Sequence, residues 1–259
     1  MRSFKELLEK DGPVMGTWSQ IASPDVVEIL GRSGFDFTII DMEHTAFGFP
    51  TVENLIRACN IMNMTPIVRV QKNDRADISK ALDIGAAAVV VPGIRSVDDA
   101  KAVIEATCFE PTGTRGSCPF IRAGEHFVSD WSAFAQRMET EHGAILLIET
   151  PEAVSNIEAI AALPGLGCVL AGPFDLSVSL GLQGDYLHPQ VQSAVEHIVE
   201  VAAHDGVPVM MPIFMPDAAE ARKHLEYWME RDVRLFTVGG DKILMLDYCT
   251  RYLGELKSK

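Results

Sequence analysis

FTIIDMEHTAFG, residues 37–48, is the stretch on which the reading of this chain turns. Phe37 to Asp41 suit the inside of a strand, and they run straight into a second acid, Glu43, and a histidine, His44. An apolar run without polar alternation marks a strand buried on both faces, as in a parallel sheet. Polar groups gathered at its C-terminal end then need a shared, wetter place to face.

Working outward, seven more runs of the same kind punctuate the chain. They are VMGTW (14–18), PIVRV (66–70), AAVVVP (87–92), AILLIE (144–149), GCVLAG (167–172), VPVMMP (207–212) and LFTVGG (235–240). Between them lie stretches of helical period, such as SPDVVEILGRSG with Ser23 as cap, FPTVENLIRACNIMN, SVDDAKAVIEAT, TPEAVSNIEAIAAL and MPDAAEARKHLEYWMERD. Strand and helix alternate eight times, which predicts a (β/α)₈ TIM barrel occupying residues 1–259 as one domain. The final DKILMLDYCTRYLGELKSK reads as a helix with an apolar face, suited to the barrel or to another subunit. Residues 108–143 form an unusually long connection between the fourth and fifth strands, and long connections in compact domains are more often functional than decorative.

Composition narrows the function. A net charge of -14 over 259 residues excludes an electrostatic footprint for nucleic acid or anionic lipid. The five cysteines are scattered without metal-type or redox spacing, and no apolar run approaches a membrane span. The N-terminus reads as a short charged helix stopped at Gly12-Pro13 and lacks the apolar core of a signal peptide. A reduced, cytoplasmic protein is expected.

In a parallel barrel the catalytic groups stand at the C-terminal ends of the strands. That rule selects Asp41, Glu43 and His44, then Arg69, Glu149, and the Gly172-Pro173-Phe174-Asp175 segment. Glu149 and Asp175 follow neighbouring strands, and two carboxylates leaving the remaining positions to water and substrate are the usual protein share of a Mg²⁺ or Mn²⁺ site. Asp175 could instead cap the following helix; its coincidence with Glu149 favours metal. Arg69, a cation in an apolar strand, demands an anionic partner. It serves either to stabilise an oxyanion or as a structural ion pair with Asp41 or Glu43. His44 suits a general base with Asp41 as the orienting carboxylate, the alternative being a loop histidine at the surface. The amides of Phe174 and Asp175 open a helix and could take a substrate carboxylate. No lysine lies inside a strand, and Lys72 and Lys242 fall in loops, which disfavours imine chemistry.

These motifs together, GTW, IDMEH, PIVRV, PTGTRG, LLIET, GPFDLS and VGGD, resemble the HpcH/HpaI aldolase family, metal-dependent pyruvate aldolases in the wider group of citrate lyase β-like enzymes. The resemblance spans nearly the whole chain. It implies a divalent ion (Mg²⁺, Mn²⁺ or Co²⁺) held at Glu149 and Asp175, and a keto acid bound at Arg69, Gly172, Phe174 and Asp175. It further implies enolate stabilisation by Arg69, proton transfer by His44 supported by Asp41, and an aldehyde as the second product. Hexamers, trimers of dimers exchanging a C-terminal helix, are also implied. Two features depart from the family pattern: Phe174 stands where a small residue is usual, and MMPIFMPDA brings apolar bulk to the side the aldehyde would approach. Arg115 and Arg122 in the long connection, with Lys242, are expected to offer charge to a second carboxylate. That would suit a related reaction on the same scaffold, citrate formation from oxaloacetate and acetyl-CoA, or oxaloacetate decarboxylation. A non-catalytic barrel binding a keto acid is the remaining reading, against which the intact set His44, Arg69, Glu149 and Asp175 argues.

Overall fold

The computed structural model describes residues 2–215 and 217–258. Met1, Pro216 and Lys259, which belong to the N-terminal helix, the MPDAA helix start and the C-terminal helix as read from sequence, lie outside the described residues. Eight parallel strands form a closed barrel in chain order: β1 (Val14–Ser19), β2 (Phe37–Asp41), β3 (Thr65–Arg69), β4 (Ala88–Val91), β5 (Gly143–Ile148), β6 (Cys168–Ala171), β7 (Val209–Ile213) and β8 (Leu235–Gly240). The helices are α1 (Phe4–Leu8), α2 (Pro24–Arg32), α3 (Phe49–Ile61), α4 (Arg75–Asp83), α5 (Val97–Thr107), α6 (Trp131–Glu141), α7 (Pro151–Ser155), α8 (Ile157–Ala161), α9 (Pro173–Ser179), α10 (Pro189–His204), α11 (Ala218–Met229) and α12 (Asp241–Lys257).

Strand parity divides the apolar residues between two cores. One set, including Phe37, Ile39, Ile67, Val90, Ile145, Leu147 and Leu170, fills the barrel interior. The alternate set, including Ile40, Val68, Val89, Leu146, Ile148 and Val169, packs outward against the helices. Helix α1 plugs the N-terminal end of the barrel: Ser3 and Glu6 close a capping box, and Phe4 and Leu7 enter the interior cluster. Gly143 makes room for it, because a Cβ there would lie 2.3 Å from the Phe4 ring.

Two sequence expectations change here. TPEAVSNIEAIAAL is not one helix but two short ones, α7 and α8, meeting at Asn156. The connection 108–143 is not a loop at the mouth. It holds a 3₁₀ turn (Arg122–Gly124) and helix α6, with a core of its own around Phe109, Phe134 and Met138. Because it follows a helix and precedes a strand, it lies at the N-terminal end of the barrel, away from the strand ends that carry chemistry.

Candidate active site

The interior parity that buries Phe37 and Ile39 places Asp41 next in line, and the β2–β3 register sets Asp41 directly beside Arg69. The guanidinium meets the carboxylate fork to fork, Nε to Oδ1 at 2.9 Å and Nη2 to Oδ2 at 2.8 Å. Its third nitrogen, Nη1, lies 3.1 Å from Glu43 Oε2, and the guanidinium stacks 4.3 Å above the Trp18 ring. Arg69 is thus fixed in place, 7% exposed, with its remaining N–H groups on the cavity side. Asp41 is fully buried and also accepts from Gln20 Nε2 at 2.8 Å. Burial alone would raise its carboxyl, but the Arg69 and Gln20 bonds outweigh it and hold the group below the usual range.

This corrects the role expected of Asp41. It accepts the backbone N–H of His44 at 3.3 Å rather than the imidazole, because its oxygens are already engaged with Arg69 and Gln20. The acidic neighbour of the His44 ring is Glu43, at 3.9 Å from Nε2. His44 lines the cavity with a largely exposed side chain.

Glu149 lies one residue past β5, on the same inward parity as Ile145 and Leu147. Its Oε1 accepts the Gly93 N–H at 2.8 Å. Burial pushes the carboxyl up to about 7, and the nearby Asp175 and Glu43 charges push the same way. Burial likewise raises Glu43 despite the Arg69 charge. Asp175 sits in the first turn of α9, whose N-cap is Gly172, so no capping bond holds it and the helix-cap reading fails. Gly172 is required at its position: a Cβ there would come 2.6 Å from the Glu149 Cβ.

Glu43, Glu149 and Asp175 are near enough to repel one another, with the Arg69 guanidinium and the exposed His44 ring beside them. Such an excess of negative charge in a part-buried site is what a divalent cation neutralises. Among the described residues no three His, Cys, Asp or Glu side chains converge as a ready-made cage. The donor set fits an ion bound by Glu149 and Asp175, with substrate and water completing the shell, as Mg²⁺ accepts.

The cavity over these groups measures about 460 Å³ and is lined by Gln20, His44, Arg69, Gly172, Phe174, Asp175 and Lys242 among others. Arg115 and Arg122 are not among its residues, which corrects the expectation that they serve a second carboxylate. Arg115 is 2% exposed, pairs with Asp83 at the end of α4 at 2.8 Å and covers the Phe109 ring; Arg122 donates to the Ile84 carbonyl at 2.9 Å. Both belong to the αβ connection at the opposite end of the barrel. Two contributors escaped the sequence reading. Gln20 continues the inward parity of Val14, Gly16 and Trp18 and could have been found by it. Asp241, 3% exposed, accepts the N–H groups of both Gln20 and Ile21 at 2.8 Å and so fixes the β1 loop; nothing in VGGD signals that reach across the chain.

A closed parallel barrel with acids and an arginine converging at the C-terminal strand ends is the architecture of a barrel enzyme. The model of the HpcH/HpaI aldolase/citrate lyase family matches residues 14–229, and the chain belongs to that family. A 2-dehydro-3,6-dideoxy-6-sulfogluconate aldolase of Pseudomonas putida is 30% identical over 253 residues, 98% of this chain and 96% of the relative. The solved HpcH/HpaI aldolase of Desulfitobacterium hafniense superposes with a TM-score of 0.92 at 28% identity, covering 100% of this chain and 98% of the other. The citrate synthase SbnG superposes with a TM-score of 0.88 at 29% identity, covering 98% and 97%.

Proposed function

We propose that this protein is a divalent-metal-dependent aldolase that cleaves a 4-hydroxy-2-keto acid, or a 2-keto-3-deoxy sugar acid, to pyruvate and an aldehyde. The observation that carries the reading is the meeting of Glu149 and Asp175 beside an Arg69 held rigid by Asp41 and Glu43. Once bound by Glu149 and Asp175, the divalent ion supplies a Lewis acid that draws electron density from the keto group.

The chain's own groups then divide the work. The amides opening α9 at Phe174 and Asp175 receive the substrate carboxylate, with Gly172 leaving the space beside them. His44 takes the proton from the C4 hydroxyl as the C3–C4 bond breaks; C4 becomes the aldehyde carbonyl, and the bonding pair passes to C3 and the keto group. Arg69, unable to rotate away, directs its free N–H groups at the negative charge that develops there. Protonation at C3 releases pyruvate.

Of the residues expected to meet a second carboxylate in condensation chemistry, Arg115 and Arg122 lie at the far end of the barrel and Lys242 alone lines the cavity. Helix α12 supports association into homo-oligomers, hexamers built from helix-exchanging dimers. Leu246, Tyr248, Tyr252, Leu253 and Leu256 are each at least half exposed on it. A groove of about 420 Å³ between α11, α12 and the barrel, lined by Met15, Leu225 and Val238, suits a helix from a second copy.

Proton NMR of pyruvate in D₂O tests the central claim without an aldehyde. Loss of the methyl signal with Mg²⁺ or Mn²⁺, absent with chelator and in Glu149→Gln, is the expected result. A methyl signal that persists under all conditions overturns it.

A further inference from the structure

Pyruvate fills only a small part of a cavity of about 460 Å³, so the walls beyond the acids describe the rest of the substrate. Those walls come from four separate strand ends and are apolar: Trp18 near the end of β1, Phe174 after β6, Pro212 and Phe214 at β7, and Ile243 after β8. Their rings are held in place. Phe174 lies against Gly184, where a Cβ would sit 3.1 Å from the ring, and Phe214 meets Tyr186 edge-on at 5.4 Å between centroids. Both rings nevertheless remain about half exposed, Phe174 at 50% and Phe214 at 42%, on the cavity side of the chain.

Two of the polar side chains that line the cavity are already engaged. Gln20 is bonded to Asp41, and Arg69 to Asp41 and Glu43. Lys242 stands at the rim in water, where one exposed ammonium gives weak attraction, and it is outnumbered by Asp41, Glu43, Glu149 and Asp175. Away from Arg69, a second anionic group on the substrate would find Lys242 as its one Lys or Arg partner among the described lining residues and would gain little. A polyhydroxylated tail would leave water for the side chains of Phe174, Pro212, Phe214 and Ile243, which offer its hydroxyls no partners.

Resting on the aldolase reading above, we infer that the acceptor is an apolar aldehyde, aliphatic or aromatic, so that the full substrate is a 4-hydroxy-2-keto acid with a hydrocarbon tail. The ring pair Phe174 and Phe214 is the specificity determinant. Each methylene moved from water to these walls raises kcat/KM by about fourfold until the cavity is full.

The test is aldol addition of pyruvate, with Mg²⁺, to a panel of aldehydes: propanal, butanal, pentanal, hexanal, benzaldehyde, glycolaldehyde and succinic semialdehyde. The expected result is a kcat/KM that climbs from propanal to hexanal and exceeds those of glycolaldehyde and succinic semialdehyde by tenfold or more. Phe214→Ser and Phe174→Ser should each lower the hexanal-to-glycolaldehyde ratio about tenfold. Phe214→Lys should reverse the preference towards succinic semialdehyde. Deuterium exchange into pyruvate is measured on the same samples. Exchange without preference for the apolar aldehydes overturns this inference and leaves the aldolase reading standing, whereas absence of exchange overturns both.

Discussion

Asp41 and Arg69 form the most heavily constrained pair in the site, and their energetics differ from those of a surface ion pair. Both side chains are nearly inaccessible, at 0% and 9%, so removing one charge strands the other in a poor solvent. Asp41→Asn should therefore cost about 3–5 kcal/mol of stability, seen as a melting midpoint lowered by roughly 10 °C, besides abolishing pyruvate exchange. A melting curve unchanged by the substitution would show that Arg69 is satisfied by Glu43 alone. Glu149 gives the opposite case. The folded protein without metal keeps a proton on this carboxyl up to about pH 7, whereas the unfolded chain releases it near the ordinary 4.5. More protons are bound in the folded state across that window, so stability falls as pH rises from 4.5 to 7, by up to about 3 kcal/mol. Denaturant titrations in chelator at pH 5 and pH 7.5 should show this loss, and Glu149→Gln should remove it. The individual residues were largely legible in sequence, because strand-end position names Asp41, Arg69 and Glu149 without any knowledge of packing. Their pairing was legible only as one of two readings, since the ion pair of Arg69 with Asp41 or Glu43 stood beside the pairing of Asp41 with His44. Whether Asp41 serves His44 or Arg69 depends on the β2–β3 register, which neither strand encodes alone.

At the scale of elements, the site is a product of how strands hand over to helices. The β6–α9 junction brings Gly172 within contact of Glu149, so a single added methyl acts on a residue from another strand. Gly172→Ala should push Glu149 aside and weaken Mg²⁺ binding by ten- to a hundredfold, the range seen when a ligand's support is disturbed, with far-ultraviolet circular dichroism retained. Calorimetric titration of Mg²⁺ would measure it; an unchanged affinity would remove Glu149 from the ligand set. The β8–α12 junction acts similarly through Asp241, whose carboxylate holds the backbone of Gln20 and Ile21. Asp241→Ala leaves two part-buried amides without this partner, at a cost of about 1 kcal/mol each. The loosened β1 loop releases Gln20 from Asp41, and the pyruvate KM should rise more than kcat falls. The connection 108–143 shows where reading by length misled. A long segment was taken as functional, yet helix α5 precedes it, and a connection that leaves a helix returns to the N-terminal end of the barrel. Its arginines instead fasten the connection to the end of α4.

Taken as a whole, the chain reads as a barrel because periodicity fixes it repeatedly: eight buried runs, each followed by helical spacing, leave one closed solution. Periodicity has no such hold on α12. Seventeen residues long, it contributes a single buried residue, Asp241, and leaves a row of leucines and tyrosines in solvent. An apolar face of that extent on an isolated chain is unstable against association, because each large side chain covered by a second copy contributes about 1.5–3 kcal/mol. The Met15, Leu225 and Val238 groove beside it offers the complementary surface on the same molecule, which is the condition for an exchanged helix. Light scattering should therefore report a multiple of the chain mass. Leu246→Glu combined with Leu253→Glu places charges on the exposed apolar face without touching the barrel, and should yield the single-chain mass with the barrel's circular dichroism retained. Because Ile243 and Lys242 lie on the same helix and line the cavity, dissociation should also raise KM for the aldehyde more than for pyruvate. A monomeric wild-type protein would refute the exchange, and a double variant that stays assembled would place the interface elsewhere.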